Sequence, residues 1–318
     1  MKNIVNFKFF IIITLFLASA TIPVYALSEN VPEWIKKIAE FWAKDQISDK
    51  EYIDSIKYLI DKKIINLETE EPEKFLKISG ELFDIFYEKN SLSQPAKKQG
   101  YTIITSPIYF QLNPEKLDIY EKIKSDGDSI VIIPTYTDAA YSKNGFYEYF
   151  NGQCNEKCLT VSYSDKIALD YNSSVTGATI LSLLGYSVIT DSDLDKDPSL
   201  LKNFKKIILL HNEYVAKEMF DAITSHPKVV YLYPNALYAE LKTDHTNNTI
   251  TLIRGHAYPE QSIDNGFDWK YDNTRPFESD VECKDWKFKE INNGIMLNCY
   301  PEWIIYRDFQ LLKEIRDF

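Results

Sequence analysis

Lys206-Ile-Ile-Leu-Leu-His-Asn-Glu-Tyr214 decides the fold: a β-branched and leucine run stops at His211 and Glu213, and a helical pattern follows at 216–224. That order reads as strand, sharp turn, helix. In an open parallel sheet such a turn lies at the carboxyl end of a strand, where ligands usually bind. Working outward, strands are expected at 129–133, 186–190 and 229–233, and helices at 175–184, 200–204 and 235–241. Gly185 stops the helix before it. Strands alternating with helices predict an α/β fold, an open and mostly parallel sheet flanked by helices.

Parallel strands would bring four post-strand loops to one edge: Pro134-Thr-Tyr-Thr-Asp-Ala-Ala-Tyr141, Asp191-Ser-Asp193, His211-Asn-Glu-Tyr214 and Tyr233-Pro-Asn235. His211 and Glu213, two residues apart, would face the same side of an extended segment. They read either as ligand and general base or as a turn in which Glu213 caps the next helix. Asp191, Asp193 and Asp195 invite comparison with a calcium loop, which needs Gly at its sixth position and Glu at its twelfth. Lys196 and Lys202 occupy those places, so a solvated turn is expected.

The chain has 318 residues, 45% of them apolar, enough for one sizeable core and a small accessory module. Residues 1–26 carry Lys2 and Lys8, an apolar run at 9–18 and Val24-Tyr25-Ala26, the pattern of a secretory signal peptide. An uncleaved N-terminal anchor is the alternative, although the run falls short of the roughly 20 residues of a membrane span. Cleavage would leave no integral membrane protein and would place the mature chain outside the cytoplasm. It would also remove two lysines and no acids, moving the formal charge from −11 to −13. Such acidity argues against nucleic-acid binding, and no glycine-rich phosphate loop is present. Cys154, Cys158, Cys283 and Cys299 are expected in two local disulfides, 154–158 and 283–299. With no cysteine near the 211–214 turn, cysteine-dependent glutaminase chemistry is not expected. Asn172-Ser-Ser and Asn247-Asn-Thr are glycosylation sequons.

Residues 27–68 read as a helical hairpin, with apolar residues at helical spacing through 31–66 and a capping box at Ser48-Asp-Lys-Glu51. This stretch resembles a Trp-rich helical module of exported archaeal proteins, and its aromatic stripe is either core or a face for a protein partner. Residues 69–100 are acidic, then amphipathic at Phe75, Leu76, Leu82, Ile85 and Phe86, then linker-like, which sets a boundary near 100 and an α/β domain over 101–318.

The 134–141 motif, His211-Asn-Glu-Tyr214 and Asn235-Ala-Leu-Tyr238, in that order, resemble the C-terminal domain of the N,N-dimethylformamidase large subunit. The resemblance covers roughly residues 127–241 and implies a class-I glutamine-amidotransferase-like fold without its cysteine. It further implies a mononuclear iron (Fe) site with tyrosine phenolates and a glutamate: Tyr141 and Glu213 as ligands, His211 beside them as acid or base, and Asn235 as a hydrogen-bonding partner. Tyr163 and Tyr171 are candidates for the second phenolate, with Tyr171 preferred. Hard oxygen donors suit a ferric ion acting as a Lewis acid on an amide. Ser142, Asn212 and Val215 stand where the family usually has Asn, Asp and Trp. The implied activity is metal-dependent hydrolysis of an amide or related C–N bond in a small substrate. The competing expectation is a non-catalytic extracellular binding protein that keeps the fold.

Overall fold

The computed structural model describes residues 33–44, 46–61, 75–88, 96–98, 101–103, 108–164, 166–167, 169–271 and 275–318. The expected signal peptide lies outside them. The chain divides into two compact units, Met1–Pro72 and Glu73–Phe318. In the first, helices α1 (Glu33–Ala43) and α2 (Asp49–Asp61) carry the predicted capping box. The Ser48 amide donates to the Glu51 carboxylate at 2.8 Å, and the Glu51 amide donates to the Ser48 hydroxyl at 3.3 Å. Trp42 stacks on Tyr52 at 4.9 Å, while Phe41, Trp42, Ile53 and Tyr58 stay exposed.

The second unit opens with β1 (Phe75–Ser79), β2 (Phe83–Glu88), β3 (Ala96–Lys98), β4 (Tyr101–Ile103), β5 (Ile108–Leu112) and a short helix α3 (Leu117–Tyr120). The main alternation follows: β6 (Ser129–Ile133), α4 (Thr135–Tyr141), α5 (Phe146–Phe150), β7 (Thr160–Ser162), α6 (Val175–Leu183), β8 (Ser187–Thr190) and α7 (Asp191–Lys196). Next come β9 (Lys206–Leu209), β10 (Tyr214–Ala216), α8 (Lys217–Ser225), β11 (Val229–Tyr231), β12 (Ala239–Asp244) and β13 (Thr249–Arg254). The chain ends with β14 (Phe288–Ile291), β15 (Gly294–Leu297) and α9 (Phe309–Asp317).

The central sheet runs β14-β15-β11-β9-β6-β8, with every pair parallel except the edge pair β14–β15. Its inner strands β6, β9 and β11 are buried along their length and read as largely apolar runs because both faces are covered. Successive residues alternate between two cores: Ile130, Ile132, Ile207 and Leu209 pack with Leu194 and Met219 on one face. Val131, Ile133, Ile208 and Leu210 pack with Ile180, Leu181, Leu311 and Leu312 on the other. At the start of β15 only glycine fits, because a Cβ on Gly294 would lie 1.8 Å from the Val229 carbonyl oxygen.

A second sheet, β10-β12-β13-β7, shares the first core through Val161, Leu241, Ile250 and Leu252. It replaces the helix expected at 235–241. Asn235 and Leu237 adopt φ of 60° and 59°, which a right-handed helix cannot accommodate. Their turn instead bonds back to the 211–214 loop, Leu237 N to Asn212 O at 2.8 Å and Ala239 N to Glu213 O at 2.9 Å. A short strand, β10, therefore comes between the 211–213 turn and the expected helix. The boundary expected near residue 100 falls inside the second unit, where β1, β2 and β5 form one antiparallel sheet. The spacing at 75–86 is that of a hairpin closed at Gly80, whose amide donates to Phe83 O at 3.0 Å.

Both expected disulfides form, Cys154–Cys158 and Cys283–Cys299, and they fit an oxidising compartment. Among the described residues no helix is long and apolar enough to cross a membrane.

The last helix is tied to the sheet by a buried lysine. Lys206 Nζ donates to the carbonyls of Ile315 and Arg316, each at 2.8 Å. Burial pushes its ammonium down to about 8 from the ordinary 10.5. Lys206→Met should cost about 2–3 kcal/mol in denaturant unfolding, since two buried carbonyls lose their donor. Because the folded value is the lower one, the unfolded chain binds more protons between about 8 and 10.5. Wild-type stability should rise through that window relative to the variant, and a pH-independent difference would count against the assignment.

Candidate functional site

Because β8, β6, β9 and β11 are parallel, their following loops open on one edge of the sheet. The 134–141 motif forms α4, and most of its polar groups fasten a neighbouring loop. The amides of Thr135 and Tyr136 donate to the Asp191 carboxylate at 3.0 and 2.9 Å. The Thr137 hydroxyl accepts from the Glu213 amide at 3.0 Å. Asp138 accepts from the Ser173 hydroxyl at 2.8 Å, and Tyr141 reaches the Glu213 side chain.

Glu213 is the centre of this arrangement and is wholly buried. Its Oε2 accepts from the Tyr141 hydroxyl at 2.9 Å, and the Tyr147 hydroxyl donates to that of Tyr141 at 2.6 Å. Its Oε1 accepts from His256 Nε2. His211 Nε2 stands 3.5 Å from Oε2 and has no hydrogen-bond partner of its own. The far nitrogen, His211 Nδ1, meets the Asn172 carbonyl. A carbonyl only accepts, so Nδ1 carries the proton and Nε2 is the atom free to take or give one. Tyr214 stacks on the His256 ring at 5.4 Å, closing the site from the β10 side.

The electrostatics follow from this enclosure. Burial alone would push the Glu213 carboxyl up. The charge and hydrogen bond of His256, the charge of His211 and the Tyr141 hydroxyl outweigh it and hold the carboxyl below its ordinary 4.5. Tyr141 moves the other way: burial, then the Glu213 charge and Tyr147, push its phenol well up. Tyr147 rises through burial and the Glu213 charge. The centre is thus an ionised carboxylate next to two phenols that keep their protons.

No protein-family model matches the chain, and no curated protein is detectably similar to it.

The geometry brings Tyr141, His211 and Glu213 together. Asn235 joins at one remove: its Nδ2 donates to Glu278, whose charge also raises the Tyr147 phenol. Tyr171 is not among the groups on Glu213. It packs on Tyr300 and Trp303 at 5.5 and 5.7 Å, and Tyr300 in turn meets the His211 ring at 5.5 Å. Tyr163 belongs to another cluster, its hydroxyl 2.9 Å from His245 Nδ1 and that imidazole 3.1 Å from Asp195. The phenol actually beside Tyr141 is Tyr147, six residues on and presented by α5. His256 and Glu278 escape a reading of the sequence, because they reach the centre from irregular segments far along the chain.

The expected solvated turn at 191–195 is a helix with its carboxylates committed. Asp191 caps α4, and burial pushes it up to about 7 against the donors around it. Asp193 completes a capping box with Thr190, and Asp195 accepts from the Tyr136 hydroxyl at 3.0 Å.

Among the described residues, no three His, Cys, Asp or Glu side chains are placed to hold a metal. A metal at this centre would therefore depend on phenols. The oxygens of Glu213, Tyr141 and Tyr147 are contiguous, and the unpartnered His211 Nε2 faces them. That donor set is hard and oxygen-rich, which suits a ferric ion.

Proposed function

We propose that the chain is a hydrolase of an amide or related C–N bond, related to the amidotransferase-like domain of N,N-dimethylformamidase and centred on Glu213. The observation that carries this reading is a fully buried carboxylate at the carboxyl edge of a parallel sheet, flanked by two imidazoles and a phenol pair. Structural ion pairs are seldom buried with an imidazole nitrogen left unpartnered, whereas sites that move protons need one. Iron, if bound, would be held by Tyr141, Tyr147 and Glu213, with Tyr147 in the place expected of Tyr171. It would polarise the amide carbonyl and acidify a water.

The protein's own groups have separate tasks. His211, fixed as the Nδ1–H tautomer by Asn172, takes the proton of the attacking water at Nε2 and returns it to the leaving nitrogen. His256 holds Glu213 ionised from the opposite oxygen. Tyr141 holds the Tyr147 hydroxyl, and the nearby Glu278 charge, itself met by Asn235, helps keep that phenol protonated. The disulfides and the leader-like N-terminus support action outside the cytoplasm.

A non-catalytic reading is favoured by one feature. Both Glu213 oxygens are already engaged, and the cavities of about 300 and 320 Å³ described below are lined by other residues. Metal analysis and visible spectroscopy of untagged protein separate the two readings. The hydrolase reading expects about one iron per chain and a tyrosinate-to-iron absorption band, both lost in Glu213→Gln and the band altered in Tyr147→Phe. Folded protein that stays colourless and metal-free after iron is added would sink the iron assignment and leave the binding reading.

A further inference from the structure

We propose that a surface groove between 79–81, 281–284 and 303–307 binds an acidic oligosaccharide, a short chain of pyranose units bearing carboxylates. Two cavities of about 300 and 320 Å³ adjoin here, and Tyr306 and Arg307 wall both. Each lies at the lower end of the roughly 300–1,000 Å³ usual for small-molecule sites. Sharing one wall, the pair suits an elongated ligand better than a compact one.

The walls carry the chemistry such a ligand needs. Trp303 is 38% exposed and Tyr171 beside it 37%, with ring centroids 5.7 Å apart. Flat aromatic faces left in water beside a groove are suited to the C–H face of a pyranose, an apolar surface rimmed by hydroxyls. Tyr306 is half-buried and packs at a tilt on Phe110, ring centroids 5.3 Å apart. Arg307 lies 5.8 Å from the Tyr306 ring centroid, and among the described residues it has no carboxylate partner. Lys284 differs, being paired with Glu282 at 2.6 Å. The planar fork of the Arg307 guanidinium matches a carboxylate. The glutamates of the rim, Glu81 and Glu282, can accept from sugar hydroxyls.

The groove is also built to stay open. The Cys283–Cys299 disulfide fixes one wall, and the Cys283 amide is held by Asp280 at 3.2 Å. Trp286 Nε1 donates to Asp308 at 2.7 Å, which anchors the residue next to Arg307. Ile304 and Ile305 are buried in the core beneath. A ligand would therefore meet a surface with little left to order, which favours modest but real affinity.

The test is a titration of the full chain with trigalacturonate at low salt, read by tryptophan fluorescence and calorimetry. Maltotriose serves as the neutral control, and a tripeptide ending in phenylalanine as a carboxylate without sugar. Trigalacturonate should bind at least about tenfold more tightly than maltotriose and should loosen as salt is raised. Arg307→Ala and Trp303→Ala should each weaken it about tenfold or more, the first also flattening the salt dependence. Arg307 is exposed, so its variant keeps the proposal testable should Trp303→Ala unfold. Equal binding of maltotriose would overturn the acidic assignment, and tighter binding of the tripeptide would overturn the saccharide. Undetectable binding of trigalacturonate, or binding that survives both substitutions, would remove the site altogether.

Discussion

Glu213→Ala should lower the unfolding free energy by about 3–5 kcal/mol, because it leaves a buried imidazole and a buried phenol without their shared acceptor. His256 Nε2 and the Tyr141 hydroxyl both end on this carboxylate, and the wall around it is closed. Glu213→Gln keeps the volume but offers only one acceptor oxygen, so one of those donors goes unmatched at a cost of about 1–3 kcal/mol. The two substitutions together separate the lost acceptor from the lost charge. The pH dependence has a definite sign. The folded carboxyl titrates below its ordinary 4.5, so its stabilising contribution is complete above that value and lost as pH falls through the folded one. Denaturant unfolding of wild type and Glu213→Gln should therefore converge as the pH drops from about 5 toward 3. A gap that stays constant over that range would mean that Glu213 is not held ionised by His256 and His211.

How far this centre could be read in the sequence depends on where each group comes from. β6, β9 and β11 are legible because a strand buried on both faces is apolar along its length: 130–133, 207–209 and 229–231 hold only Ile, Val, Leu and Tyr, and the polar residues Ser129 and Lys206 stand at the entry ends. The polar stop at His211 and Glu213 is legible for the same reason, as a break in an apolar run. The 235–238 segment misleads because its composition suits a helix, while the left-handed φ of Asn235 and Leu237 is imposed by bonds to residues 212 and 213. Tertiary contacts overrode propensity there. His256 bonds to a residue 43 positions earlier and sits in a loop where Gly255, His256 and Ala257 all have positive φ. No periodicity marks such a segment. Its strained backbone is the signal, and only coordinates carry it. At 75–86 a few apolar residues fit either period, and the glycine between two aromatic runs decides for the hairpin.

The second large effect is expected at the other fully buried glutamate, Glu302, and its pH signature should run the opposite way. Glu302 follows β15 and accepts from the amides of Thr176 and Gly177 at 3.0 and 3.2 Å and from the Tyr233 hydroxyl at 2.6 Å. It thereby closes the start of α6, where Gly177 is required because a Cβ would lie 2.2 Å from the Tyr233 hydroxyl. Glu302→Ala should cost about 3–5 kcal/mol, with two buried amides and a phenol stranded at once. Burial raises this carboxyl above 4.5 despite these donors, and no imidazole stands by to reverse the effect as at Glu213. Its contribution is thus fully present below 4.5 and is lost as pH rises through the folded value. Glu302→Gln, which keeps an acceptor and carries no charge, should cost most in acid and progressively less toward neutrality. Unfolding curves of the two glutamine variants, measured side by side from acid to neutral pH, should therefore slope in opposite directions. The same slope for both would show that a buried carboxylate here is governed by its depth in the core alone, and the histidines around Glu213 would lose their assigned part.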